Sequence, residues 1–359
     1  MRAERFLREK AKELFSLVDV EQVLIFNKYV EQPYFYYFTQ LPFGKLSNAN
    51  MLLLRKGKKP IVISNPLEAA IVERFGLEVK EILNKKELVK FLKAMLSEDA
   101  LGVNYNELSC SAANKLRKEL GVKPINIAKH LEKIREVKSK EELKLIAKSA
   151  ELAESILQSI PEFFKKGMTE KQLALALEIG AKILGAEPAF EPIVAFGKNA
   201  AIPHHLASST KIKNGLLLVD FGVRYKNYCS DICRTFYVGK PRAKDVKRYD
   251  IVYEAKTIAE ERLQEGAKAS EACREVESFL KKHGFRMIHA LGHGIGLQEH
   301  DFPQSLSLKS RFTLKENMCF AIEPAIYTAS GGIRIEDDYI VGKNKAKKLS
   351  QASAELSTL

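Results

Sequence analysis

Residues 215–239 read GLLLVDFGVRYKNYCSDICRTFYVG. Two apolar runs flank the polar turn RYKNY, the pattern of a β-hairpin, and each carries one aspartate. Asp220 follows LLLV, and Asp231 comes eleven positions later in the returning strand. A carboxylate in an apolar strand is costly unless it is paired, hydrogen-bonded or metal-bound. Two in one hairpin repel unless a proton or cation lies between them. Either aspartate alone has a plainer account, as an acceptor of turn hydrogen bonds or a partner of Arg224 or Arg234.

The anomaly recurs further on. Glu323 follows MCFAI and precedes Pro324, and Glu336 lies within GGIRIEDDYIV, residues 331–341. For Glu336 the plainer account is an ion pair with Arg334. Between the hairpin and these two glutamates lies HALGHGIGLQEHD, residues 289–301, which holds three of the seven histidines; IPHH, residues 202–205, holds two more. Four strand carboxylates and a histidine, His293, in a glycine-rich segment are hard to explain one by one. Oxygen-rich ligation with a single imidazole suits Mn, Co or Fe, and Zn less distinctively. Four carboxylates exceed the need of one divalent ion, whereas two ions about 3.5–4 Å apart would neutralise the set. Gly292, Gly294 and Gly296 are expected to adopt positive φ and bring the backbone close to metal. Gly331 and Gly332 are expected to form the turn leading to Glu336.

Composition narrows the alternatives. The net charge of +13 raises a nucleic-acid partner. Lysines and glutamates interleave in most helical stretches, however, with no basic block of five or six, so a solvated surface is expected instead. The longest apolar runs fall far below the roughly 20 residues that span a bilayer. The opening MRAERFLREKAKELF is amphipathic and charged, without the apolar core of a secretory signal, so a cytoplasmic location is expected. The five cysteines are scattered with no C-x-x-C pair. They read as small buried hydrophobes, with Cys229 and Cys233 on one face if their strand is continuous.

The length suggests two domains. Residues 18–130 alternate short strands (EQVLIFN, NANMLLLRK, KPIVIS) with helices (PLEAAIVERFG, KKELVKFLKAML, NELSCSAANKLRKELG), a small α/β domain; RKGKKP, residues 55–60, reads as a hairpin turn. Helical periodicity then runs from about residue 127, broken near 138–140, where Ser139 with an acidic residue three positions on reads as a helix cap. We set the boundary so that residues 1–133 form the first domain and 134–359 the second. Later helices are expected over TEKQLALALEIGAKILG, AKDVKRYDIVYEAKTIAEERLQEG and SEACREVESFLKKHG, with strands around them.

Asp220, Asp231, His293 in GHGIG, Glu323 in IEP and Glu336 in RIED resemble, in order, spacing and flanks, the five metal ligands of the pita-bread-fold metallopeptidases. That family includes prolidase, aminopeptidase P and methionine aminopeptidase, and the resemblance covers about residues 137–350. It implies an α+β chain whose pita-bread catalytic domain follows a small α/β domain. It also implies two divalent ions per subunit (Mn, Co, Fe or Zn). Asp220 would bind one ion bidentately, Asp231 and Glu336 would bridge both, and His293 and Glu323 would complete the other. A bridging hydroxide would then attack the peptide bond, with Glu323 shuttling the proton to the leaving amine. His204 and His300 match the family's substrate-site histidines, which stabilise the scissile carbonyl or its tetrahedral intermediate. His205 reads as a packing or supporting residue, His289 as a solvated or core histidine, and His130 and His283 as surface residues.

The first domain departs from the methionine aminopeptidase pattern, which usually has little or nothing there, and resembles prolidases and aminopeptidases P. Size and organisation look most like the short prokaryotic prolidases, which implies an Xaa-Pro dipeptide substrate and a homodimer. Arg334 matches an arginine that takes the dipeptide's free carboxylate; its alternative is a structural partner such as Asp337. Cleavage of longer Xaa-Pro peptides, as in aminopeptidase P, is the nearest alternative. A metal-free, creatinase-like enzyme or a non-catalytic member of the fold conflicts with five intact ligands. Phe196, Ala325 and Asp301 depart from the expected pattern, and Phe196 is expected to narrow the pocket for the residue before proline.

Overall fold

The computed structural model describes residues 3–27, 32–44, 46, 50–351 and 355–359. Asn48 and Ala49, at the start of the expected second strand, and Met1 and Arg2 of the first helix lie outside them. The chain divides into two compact units, residues 1–134 and 135–359.

Among the described residues, the first unit is a six-stranded mixed sheet with helices. Its strands lie in the order Val79–Glu81, Ile61–Ser64, Asn50–Arg55, Gln22–Asn27, Ala100–Val103, Lys123–Asn126. RKGKKP makes the turn of an antiparallel hairpin with Met51 opposite Ile63, and Gly57 supplies the positive φ of 68° there. Leu24, Leu53, Leu101 and Val103 fill one core of this sheet. The helices begin where side-chain caps start them: Asn65, Asn84 and Ser109 each accept a backbone N–H of the first turn. The helix Pro33–Thr39, PYFYYFT, was not foreseen. Its residues Tyr34–Thr39 are all buried, so it lacks the amphipathic period by which helices are read.

Two of the four sheets described in the second unit carry the candidate site. Gly215–Phe221 lies between Ile232–Val238 and Ile193–Phe196, antiparallel to both. The second sheet runs Asp301–Leu306, Gly292–Gly294, Cys319–Ile322, Asp337–Ile340, Lys347–Lys348. Cys233 and Glu336 exchange backbone hydrogen bonds at 3.3 and 3.0 Å, an isolated bridge that joins the two sheets. Helices Ala243–Glu261 and Ala269–Lys282 bury Val252, Ala255, Val276 and Leu280 in one cluster with Phe320, Ile322 and Tyr339 of the second sheet. Helices Lys140–Gln158 and Glu170–Ile183 open on full capping boxes at Ser139 and Thr169.

Three local expectations are corrected. The strand breaks at Ser230 and Asp231, so Cys229 and Cys233 are not on one continuous face; their thiols contact Leu297 O and Arg334 O respectively. Gly292, Gly294 and Gly296 do not adopt positive φ. They are small because neighbouring chain is close: a Cβ would lie 2.1 Å from Ala321 O at Gly292, 2.4 Å from Pro303 O at Gly294, and 2.4 Å from Asp301 Oδ2 at Gly296. Gly331 and Gly332 open a strand, Gly331–Arg334, instead of forming the turn, and pack against the backbone of Gly197 and Ala200.

A Gly292→Ala substitution therefore forces Gly292–Gly294 away from Cys319–Ile322. It is expected to destabilise the protein by about 1–3 kcal/mol. Urea unfolding followed by circular dichroism measures this, and an unchanged midpoint would show that the neighbouring strand yields freely.

Candidate metal centre

The strands deliver the five candidate ligands to one place. Asp220, in Gly215–Phe221, sits opposite both Ile193 and Cys233. Asp231 lies just before Ile232–Val238, and its backbone N–H donates to Asp338 Oδ2 at 3.0 Å. His293 is the centre of Gly292–Gly294, opposite Ala321, and Glu323 directly follows Cys319–Ile322. The sheet-joining bridge places Glu336 beside the hairpin. His293 Nε2 is 3.6 Å from Asp231 Oδ2, 3.9 Å from Glu323 Oε1 and 3.8 Å from Glu336 Oε1. Donor atoms of Asp231, His293 and Glu336 all lie within 4.8 Å of one another, as do those of Asp220, Cys233 and Glu336.

The electrostatics of this cluster call for positive charge. Burial, then Glu336 and Asp220, push the Asp231 carboxyl well above the ordinary range. Burial, then Asp220 and Glu323, do the same to Glu336. Glu323 is raised to about 7, chiefly by burial, with Arg334 opposing and Asp220 reinforcing the rise. Burial, reinforced by His300, takes His293 down to about 3, so its imidazole is neutral at pH 7 with a lone pair to offer. Asp220 Oδ1 and Asp231 Oδ1 are buried without a hydrogen-bond partner among the described residues. Buried carboxylate oxygens left bare, beside a neutral imidazole, are what a divalent cation requires, so the residues fit the metal that the sequence pattern implies. Cys233 is less suited: burial raises its thiol far above the ordinary range, which keeps it protonated.

The cluster lies on the wall of a cavity of about 490 Å³, within the range of small-ligand pockets. His204, His205, His289, His300 and Arg334 line it too. His300 stacks on His293 with ring centroids 3.9 Å apart and planes 9° from parallel. Arg334 is buried, and its guanidinium bonds to Asp220, to Tyr327 Oη at 3.0 Å and to Pro203 O at 3.4 Å. The carboxylate that pairs with Arg334 is thus Asp220; Asp337, the partner considered from the sequence, is held by Arg234, Lys256 and Lys348 at 2.6, 2.6 and 3.2 Å.

Other positions differ from the sequence reading. Phe196 is not among the described residues that line the cavity; its backbone N–H is bound by Glu170, and Phe190 stands on the wall. His289 is neither solvated nor a simple core residue. It lines the cavity, bonds Tyr327 Oη at 3.1 Å, and has Nδ1 3.8 Å from Glu323 Oε2. Asp301, the shorter acid after His300, accepts from Leu297 and Phe302 N–H and pairs with Arg135 at 2.8 Å, which closes the loop beyond His293. Asp338 and Tyr327 were missed. Asp338 stands third in the acidic run Glu336-Asp337-Asp338, an excess in a β-strand that was the available signal; Tyr327 carries none.

Residues 144–343 match the model of Metallopeptidase family M24. The chain belongs to this family. It is a metallopeptidase with the pita-bread fold. The M24 chain is 32% identical to the Xaa-Pro dipeptidase of Pyrococcus horikoshii over 98% of its own length and 99% of the relative's. It is 34% identical to that of Pyrococcus furiosus over 82% and 88%. The crystal structure of the X-Pro aminopeptidase from Thermotoga maritima superposes with a TM-score of 0.90 at 27% identity, covering 96% of this chain and 99% of that one. Among the described residues of this M24 chain, no helix is long and apolar enough to cross a membrane.

The raised Glu323 carboxyl has a consequence for stability. Between about pH 4.5 and about 7 the folded chain holds a proton that the unfolded chain has released. This group's contribution is thus fully present at low pH and lost as pH rises through about 7. In chelator-treated protein, the Tm of wild type relative to Glu323→Gln is expected to fall between about pH 5 and about pH 8. A difference that stays constant across that window contradicts the assignment.

Proposed function

We propose that this metallopeptidase hydrolyses Xaa-Pro bonds, preferentially in dipeptides, with two divalent ions held by Asp220, Asp231, His293, Glu323 and Glu336. The observation that carries the reading is the pair of buried, unpartnered oxygens, Asp220 Oδ1 and Asp231 Oδ1, in a wall that also holds Arg334. Likeness to Xaa-Pro dipeptidases over nearly the full length of both chains supports the substrate class. Divalent ions held there would polarise the scissile carbonyl and supply a water acidic enough to attack at neutral pH. Glu323, on the cavity wall 3.9 Å from His293 Nε2, would take a proton from that water and return it to the departing proline nitrogen. His204 and His300, at the accessible side of the cavity, offer N–H donors to the oxygen that gains charge during attack. Arg334 is the buried cation on the wall and offers charge-assisted bonds to the C-terminal carboxylate of a dipeptide.

A second reading, cleavage of longer Xaa-Pro peptides, is favoured by the fold likeness to the Thermotoga maritima X-Pro aminopeptidase. Assays of Xaa-Pro dipeptides against matching tripeptides, on chelator-treated enzyme and with each of Mn, Co, Fe and Zn restored, separate the two. Dipeptides are expected to be cleaved faster, and cleavage of tripeptides alone would overturn the preference.

Asp220→Asn and Glu336→Gln are expected to abolish activity and weaken metal binding while circular dichroism stays that of the wild type. Either variant keeping about half of the wild-type rate would defeat the two-ion mechanism.

A further inference from the structure

The segment that brings His204 to the cavity has little regular structure of its own. After the strand Ile193–Phe196 it makes one 3-10 turn, Gly197–Ala201, then runs irregularly to Thr210. A single carboxylate gathers it. Glu170, the first residue of helix Glu170–Ile183, is fully buried. Its Oε1 accepts from Phe196 N at 2.7 Å and Asn199 Nδ2 at 2.9 Å. Its Oε2 accepts from Ser208 N at 3.0 Å, Ser208 Oγ at 2.6 Å and His205 Nε2 at 2.9 Å. A carboxylate only accepts, so His205 carries its proton on Nε2. Burial by itself would raise the Glu170 carboxyl, but the bonds from Ser208, Asn199, His205 and Phe196 outweigh it and hold the group below the ordinary range.

The fold does not need this carboxylate to tie down the ends of the segment. Phe196 is already paired with Leu217 in the sheet, and Thr169 is bridged to Lys211. Four of its five bonds go to residues inside the segment, Asn199, His205 and Ser208, and the fifth to Phe196 N at its start. Two of the residues so held flank the working part: Asn199 lies before Pro203 and His204, and Ser208 after them. His205 is the immediate neighbour of His204. Pro203 also offers its carbonyl to Arg334 at 3.4 Å, while Asp220 and Tyr327 hold that guanidinium independently of the segment.

We propose that Glu170, with His205, is a positioning residue for peptide cleavage. It holds residues 196–208 in the arrangement that presents His204 to the scissile carbonyl. This rests on the Xaa-Pro reading above, and on His204 as a substrate contact. Catalytic geometry is sensitive to ångström-scale displacement, and a buried acceptor serving five donors leaves little freedom.

The test compares Glu170→Ala, His204→Ala and the double variant. For an Xaa-Pro dipeptide, Glu170→Ala is expected to lower kcat/KM about 10- to 100-fold. In the His204→Ala background the same change is expected to cost less than about twofold, because the segment then has no side chain to present. Mn²⁺ affinity and stoichiometry by calorimetry should be unchanged. Hydrogen exchange should quicken at the Phe196 and Ser208 amides and stay slow across 216–221. Additive losses in the double variant, a parallel loss of Mn²⁺ affinity, or unchanged exchange at Phe196 and Ser208 would overturn the proposal. Should the alanine variant not fold, Glu170→Gln and Ser208→Ala take its place, with intermediate losses and the same cycle against His204→Ala. A wild-type enzyme that cleaves no Xaa-Pro peptide defeats the functional reading alone. The exchange measurement then decides separately whether Glu170 holds the segment.

Discussion

Buried carboxylates repel one another, and the catalytic unit is organised around four that have little room to avoid it. Asp220, Asp231, Glu323 and Glu336 meet around His293 on the wall of one cavity. Arg334, bonded to Asp220 and near Glu336, is the one cation among the described residues of that wall. Such a set is tolerable only with protons or cations present. The surrounding strands prevent the carboxylates from separating: each is within, or directly beside, a strand paired on both sides or fixed by the bridge between Cys233 and Glu336. Fixed geometry and unmet charge together are what a divalent cation would need from this cluster, since its candidate ligands are already held in place.

Three consecutive acids show how completely surroundings decide the fate of a carboxyl. Glu336 faces other carboxylates and is raised. Asp337 points to the opposite side of the strand, where Arg234, Lys256 and Lys348 outweigh burial and hold it below the ordinary range. Asp338 turns back and is raised, mainly by burial, while accepting the Asp231 N–H. Arg234 also donates to the carbonyls of Cys233 and Glu336. The ion-paired side of the strand thereby steadies the side that carries the candidate ligand, an arrangement in which outer contacts orient inner ones.

Much of this was legible along the chain. Asp220 and Asp231 stood out because carboxylates rarely interrupt apolar strands, and the helices at 140, 170, 243 and 269 began close to where periodicity and caps placed them. The errors share a cause. The glycines of GHGIG were explained by backbone torsion, whereas the strand beside them sets their size. Place in the chain puts Phe196 at the cavity, whereas its ring lies against Gly215 and does not line the cavity among the described residues. His289 finds its partner, Tyr327, 38 positions away on the strand Ala325–Thr328. Each depended on a neighbour distant in sequence, and local pattern holds no record of such neighbours.

Residue type and order alone give the chemical inventory: an acidic, single-imidazole set of candidate ligands, and a two-part chain with an α/β portion first. These follow from residue type and period, which are local properties. Which groups share a wall depends on the folded arrangement. It brought Glu336 to the hairpin through one bridge, placed Asp338 behind Asp231, and set Glu170 beneath the segment bearing His204. Those relations rest on strand pairing and burial across tens to a hundred residues, and they exist only once the chain has folded.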